Sequence, residues 1–164
     1  MFAVDDKVVY GVVGVCTVSD IATPPIKGIK GEYYFLQPVF DERGLIYTPV
    51  DNKVPMREII TKKECDKLRQ KAKRCKEDKV LNEKIPAVRY DECIKSQDSL
   101  TLLHLIRFLY NIKNERAKEL RKMKSVDSRF LAVARKLLYG EMAVAMDRDM
   151  EELSEEMDSL LSVK

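Results

Sequence analysis

The apolar positions of this chain follow two different rhythms. Up to about residue 60 they come in short β-rich runs, VVY, VGVCTV, EYYFL and LIYTPV, punctuated by turn-forming residues. Such runs predict a small antiparallel sheet or barrel of about five strands. Further on, the spacing changes to three and four. Leu102, Leu105, Ile106, Leu109 and Ile112 share one stripe, and Phe130, Leu131, Ala134, Leu137, Leu138, Met142 and Ala145 share another. Those stripes predict two long helices packed in one bundle. Thr61 with Glu64 three residues on has the form of a capping box and predicts a helix running to about residue 79. Pro86 marks a boundary, after which a short helix is expected over residues 90 to 96. The longer helices open at Asp98 or Ser99 and near Ser125, and a last one, acidic on its outer side, spans about residues 149 to 161.

Glycine and proline sharpen the division. Five of the six glycines lie in the first 44 residues and five of the six prolines in the first 55. The expected organisation is therefore α+β with two domains, residues 1–60 and 61–164, the second all-helical. A chain of 164 residues is long enough to own a real core, and its 45% hydrophobic content is that of a folded protein. The longest apolar stretch, residues 100–110, is about half a membrane span and is interrupted by His104 and Arg107. The N-terminus has neither a basic nor an apolar leader region, so a soluble, cytoplasmic protein is expected.

The chemistry-bearing residues are few. Cys16, Cys65, Cys75 and Cys93 show no C-x-x-C spacing, and His104 is the lone histidine, so reduced thiols and no metal site are expected. No phosphate loop or nucleophile elbow is present, and one histidine leaves little acid–base chemistry; the chain reads as a protein that is not an enzyme and takes no cofactor. His104 falls within a helical apolar repeat, where a core or boundary role is expected.

Charge is strongly segregated. Residues 1–60 carry a net −2, residues 61–149 a net +9 and the last fifteen a net −4. The basic residues form two clusters, one from Lys62 to Lys79 and one from Lys113 through Lys124 to Arg129, Arg135 and Lys136. Arg129 and Lys136 are seven apart and share a helix face directed away from Leu131 and Leu138. Either a polyanion covers these clusters, or they are solvated faces whose field is weakened by interleaved Glu64, Glu77, Asp78, Glu115 and Glu119. No zinc-finger or basic-zipper spacing is visible, so any nucleic-acid contact is expected to be non-specific and salt-sensitive.

Four segments, in order, resemble the CarD/CdnL family of bacterial transcription regulators. DDKVVYGVVGVCTV at residues 5–18 is similar to the signature that opens that family and the polymerase-binding module of the transcription-repair coupling factor. KGEYYFLQPV resembles the second conserved strand, and LIYTPVDN at residues 45–52 the short strand and turn that follow. FLAVARKLLYGEMAVA at residues 130–145 is similar to a helix of the family's C-terminal domain. The resemblance implies a Tudor-like, SH3-like small β-barrel that docks on the β subunit of RNA polymerase. A compact helical domain would then contact promoter DNA at the upstream edge of the transcription bubble. In that family docking is by strand addition, which places Leu45, Ile46, Tyr47 and Thr48 at the polymerase contact. The DNA-facing positions it implies are Arg89, Tyr90, Lys124, Arg129, Arg135 and Lys136.

The chain departs from the family at two points. Family members often carry arginine where Tyr47 stands and another basic residue near Pro24. Many also carry a tryptophan that wedges at the bubble edge, and this chain has none. Tyr90, beside Arg89 in IPAVRYDECIKSQDS, is the nearest aromatic; it either stacks on a base or anchors the first helix to the bundle. Arg135 either faces DNA or pairs with Glu141 or an acid of the tail. The expected function is thus a regulator that holds polymerase and modulates open promoter complexes. The alternative is a polymerase-binding adaptor that leaves DNA untouched.

Overall fold

The structure is a computed structural model that describes residues 1–163. It has an α+β fold, an antiparallel five-stranded sheet followed by five helices. The chain divides into two compact units, Met1–Ile59 and Ile60–Lys164.

In the first unit β1 (Lys7–Tyr10), β2 (Gly14–Ala22), β3 (Tyr33–Pro38), β4 (Ile46–Pro49) and β5 (Met56–Glu58) lie in the order β4-β3-β2-β1-β5. Alternation sorts the side chains by face. Val8, Cys16, Val18, Tyr34 and Leu36 form the core, with Tyr10, Ile46 and Met56 packed against it. The β1–β2 turn requires glycine at Gly11, where φ is +48° and an added Cβ would stand 3.0 Å from Val54 Cγ1. A bulge at Ser19 bends β2, and the Ser19 hydroxyl donates to the Phe35 carbonyl at 3.1 Å. The Tyr10 phenol reaches past two intervening strands to Thr48 Oγ1 at 3.3 Å, so the sheet is curled.

It is nevertheless not a closed barrel, which corrects the barrel expected from the sequence. β4 and β5 remain at opposite edges, only four and three residues long, and Pro49 lacks the outward N–H that a closing ladder would use.

The second unit contains α1 (Lys62–Lys73), a 3₁₀ turn (Ala87–Arg89), α2 (Tyr90–Lys95), α3 (Ser99–Lys118), α4 (Ser125–Met146) and α5 (Met150–Leu161). The capping box forms as the sequence implies: Thr61 Oγ1 accepts from the Glu64 N–H at 3.2 Å and Glu64 Oε2 from the Thr61 N–H at 2.7 Å. The first helix is shorter than expected. The Asn82 amide donates to the carbonyls of Cys75 at 2.6 Å and Asp78 at 2.7 Å, diverting them from helical bonding, while Lys71 pairs with Asp78 at 2.8 Å. The two apolar stripes meet as α3 and α4, burying Leu103, Leu105, Ile106, Leu109, Leu138 and Met142. α5 lays Leu153, Met157 and Leu161 on the same core.

Two polar residues of α3 stitch its borders. His104 is half-buried with Nε2 2.9 Å from the Glu83 carbonyl oxygen, a boundary role. Arg107 is buried and donates to the carbonyls of Leu161 at 2.8 Å and Val163 at 2.5 Å, holding the end of α5 against the bundle. Nor do all the acids of α5 face outward: Glu156 pairs with Arg69 and Arg148, each at 2.6 Å, and Asp158 with Arg135 at 2.5 Å.

Candidate functional site

The candidate polymerase contact lies on β4. Its register pairs Tyr33 with Pro49, Tyr34 with Thr48, Phe35 with Tyr47 and Leu36 with Ile46. The Val50 N–H donates to the Glu32 carbonyl at 3.2 Å, continuing that register by one pair. In an antiparallel ladder bonded and non-bonded pairs alternate. Thr48 and Ile46 therefore bond to β3, and Tyr47 directs both its N–H and its C=O toward the open side of the sheet. Pro49 has the same outward phase, where its missing N–H costs the ladder nothing.

The four residues expected at this contact divide accordingly. Leu45 is 47% exposed just before the strand. Ile46 packs on the core and Thr48 is buried, its hydroxyl accepting from Tyr10. Tyr47 lies on the outer face, its ring 4.7 Å from that of Phe35 in an edge-on contact. The edge thus offers backbone groups at Tyr47, two residues after the exposed Leu45.

The second candidate surface lies on the helical unit, and the structure separates its expected residues. Arg89, Lys124, Arg129 and Lys136 are exposed. Arg129 lies over the Phe130 ring at 5.1 Å, and Phe130 in turn meets Tyr90 at 5.4 Å, so α4 and the start of α2 meet through these two rings. Arg89 is held loosely by Glu92 at 3.3 Å. Lys124 stands at the start of α4, where it contributes no side-chain cap.

Tyr90 is not an exposed platform; of the two roles the sequence leaves open, its position is that of an anchor between helices. It is only 2% exposed, wedged edge-on between Phe130 and Phe108, and its phenol is hydrogen-bonded to the buried Asp127. Burial, reinforced by Asp127, pushes that phenol up to about 12. Arg135 is likewise committed internally: Nε and the terminal nitrogen donate to Asp158 at 3.1 and 2.5 Å, and the guanidinium lies 5.6 Å from the Tyr139 ring. This is the tail-acid partnership left open by the sequence.

Sequence reasoning missed Val88, which sits in the 3₁₀ turn at 86% exposure beside the exposed Pro86. A single valine carries no signal in a pattern, and its conspicuous exposure emerges only once Tyr90 is seen to turn inward. The cysteines offer no reactive centre: Cys16 and Cys65 are buried, and burial pushes both thiols up to about 11. Among the described residues no helix is long and apolar enough to cross a membrane.

Residues 2–60 match the model of the CarD-like/TRCF RID domain, which covers almost the whole first unit and ends before α1. No curated protein matches the chain.

Proposed function

We infer that the chain is a non-enzymatic transcription factor that docks on the RNA polymerase β subunit through the β4 edge and presents its helical unit to promoter DNA. The observation that carries this reading is the CarD-like/TRCF RID match over residues 2–60, on a unit whose edge strand leaves the backbone of Tyr47 open. An edge of this kind takes up a partner strand through main-chain bonds, with neighbouring side chains setting specificity. Tyr47 supplies an aromatic contact where relatives supply a charge, so the partner's facing surface is less acidic.

On the helical unit Arg89, Arg129, Lys124 and Lys136 contribute phosphate contacts without base readout. A wedge at the bubble edge is made by Val88 and Pro86 rather than by an aromatic ring; apolar side chains of this size are used elsewhere to unstack base steps. Docking raises the local concentration of the second unit to roughly millimolar, so individually weak contacts suffice. The factor shifts the promoter equilibrium by its differential affinity for melted and closed geometry.

Binding of the full chain to the cognate β-subunit lobe tests the docking step. A complex is expected, and Tyr47→Pro, which removes one outward N–H while sparing the β3–β4 ladder, weakens it about tenfold or more. No complex at tens of micromolar (weaker than about −6 kcal/mol) overturns the reading.

The second reading, an adaptor without DNA contact, is favoured by the absence of tryptophan and by the burial of Tyr90. Open-complex lifetimes separate the two. Arg129→Glu with Lys136→Glu, or Val88→Asp, shortens them if DNA is contacted and leaves them unchanged if it is not.

A further inference from the structure

Between the facing stripes of α3 and α4 the second unit holds a cleft of about 640 Å³, within the roughly 300–1,000 Å³ range of small-ligand sites. Its walls follow from sequence spacing. Tyr110, Lys113 and Ala117 recur at three and four along α3, and Ser128, Leu131, Ala132 and Arg135 do so along α4. Alanines at the approach of the two helices leave the space open, and residues 121–123 close its end.

The lining carries Lys113, Arg121, Lys122 and Arg135 against one carboxylate, Asp158. Asp158 is already taken, accepting from Arg135 and from the phenols of Tyr110 at 2.6 Å and Tyr139 at 3.0 Å. It therefore neutralises Arg135 and leaves Lys113 and Lys122 uncompensated. Among the described residues Lys113 and Lys122 have no carboxylate partner, and Arg121 meets Glu119 only at 3.5 Å with both side chains largely in solvent.

The loop that supplies two of these cations is fixed. The Arg121 N–H bonds the Arg116 carbonyl at 2.8 Å, the Leu120 N–H that of Ala117 at 3.0 Å, and Arg116 Nε donates back to the Lys122 carbonyl at 2.6 Å. Lys113 Nζ lies 5.8 Å from the Tyr110 ring. Leu131 and Met123 complete an apolar floor.

We propose that this cleft binds a small organic polyphosphate of the nucleoside di- or triphosphate class. Two uncompensated lysines from two elements, with the solvent-exposed Arg121 beside them, match adjacent phosphate groups, and the apolar floor matches a flat ring. A duplex presents its phosphates on a convex surface and fits a concavity of this size poorly. The site is independent of the β4 edge, so its failure leaves the docking reading untouched.

The test is titration of the full chain with ADP, followed calorimetrically, with adenosine as the comparison. ADP binds and adenosine does not. Lys113→Gln with Lys122→Gln weakens ADP binding about tenfold or more, and Ala132→Glu, which sets a carboxylate in the floor, abolishes it. Both variants alter exposed side chains, and an unchanged melting temperature shows that the fold is kept. The proposal is overturned by no ADP binding at millimolar concentration, by adenosine binding as tightly as ADP, or by binding that survives both variants. It is equally overturned if the substitutions weaken a short DNA duplex while ADP never binds, since the cleft is then a contact for the duplex backbone.

Discussion

Asp158 shows how much one carboxylate organises. Its side chain, 26% exposed, gathers Tyr110, Tyr139 and Arg135 from two helices onto the terminal one. Tyr139 is fully buried, and burial, with the carboxylate beside it, raises its phenol far above the usual tyrosine value. Tyr139→Phe leaves the ring in place and removes one hydrogen bond to a charged acceptor, so urea denaturation is expected to show a loss of about 1–2 kcal/mol. Glu156 contributes to the pH dependence. Hydrogen bonds from Arg69 and then Arg148 hold it below its ordinary value of 4.5, so the unfolded chain takes up a proton before the folded one does as pH falls. The stabilisation is complete above pH 4.5 and is lost as pH falls through the lower folded-state value. Thermal melts are expected to drop on acidification below that point, and Glu156→Gln gives a protein less stable at neutral pH with a shallower acid decline.

At the scale of elements, the end of α3 carries a correctable strain. Leu120 closes the helix at φ +56° while 96% exposed, a conformation that costs a branched residue but not glycine. Leu120→Gly buries nothing less and is expected to raise stability by about 0.5–1 kcal/mol, read as a higher melting temperature. The helices themselves were legible in the chain because their apolar residues recur at a period that only a helix satisfies, and Thr61 with Glu64 announced its own capping. Less legible was what each polar side chain does once the helices meet. Asp158 looked like one more acid on an outer face, and Tyr90 could be read as a free ring or as an anchor, because neither position says which neighbour folds over it. The sheet was legible as strands but not as an open arc, since closure depends on whether two short edges can reach each other. Tyr47 was singled out through likeness of sequence; its outward backbone phase needed the register.

The whole molecule keeps two separate hydrophobic centres, one built on Val8, Val18 and Leu36 and one on Leu103, Leu105 and Leu138. A fragment of residues 60–164 is accordingly expected to melt cooperatively with its helical circular dichroism intact. Leu103→Ala in that fragment costs about 2–5 kcal/mol, since the side chain is fully enclosed. The open flank of β4 has a further meaning for how the molecule must be handled and stored. A stretch of unclaimed main chain adheres to any strand of suitable length, including that of a second copy. At high concentration the protein is therefore expected to pair edge to edge, and sedimentation over a dilution series, with Tyr47→Pro as the comparison, checks this.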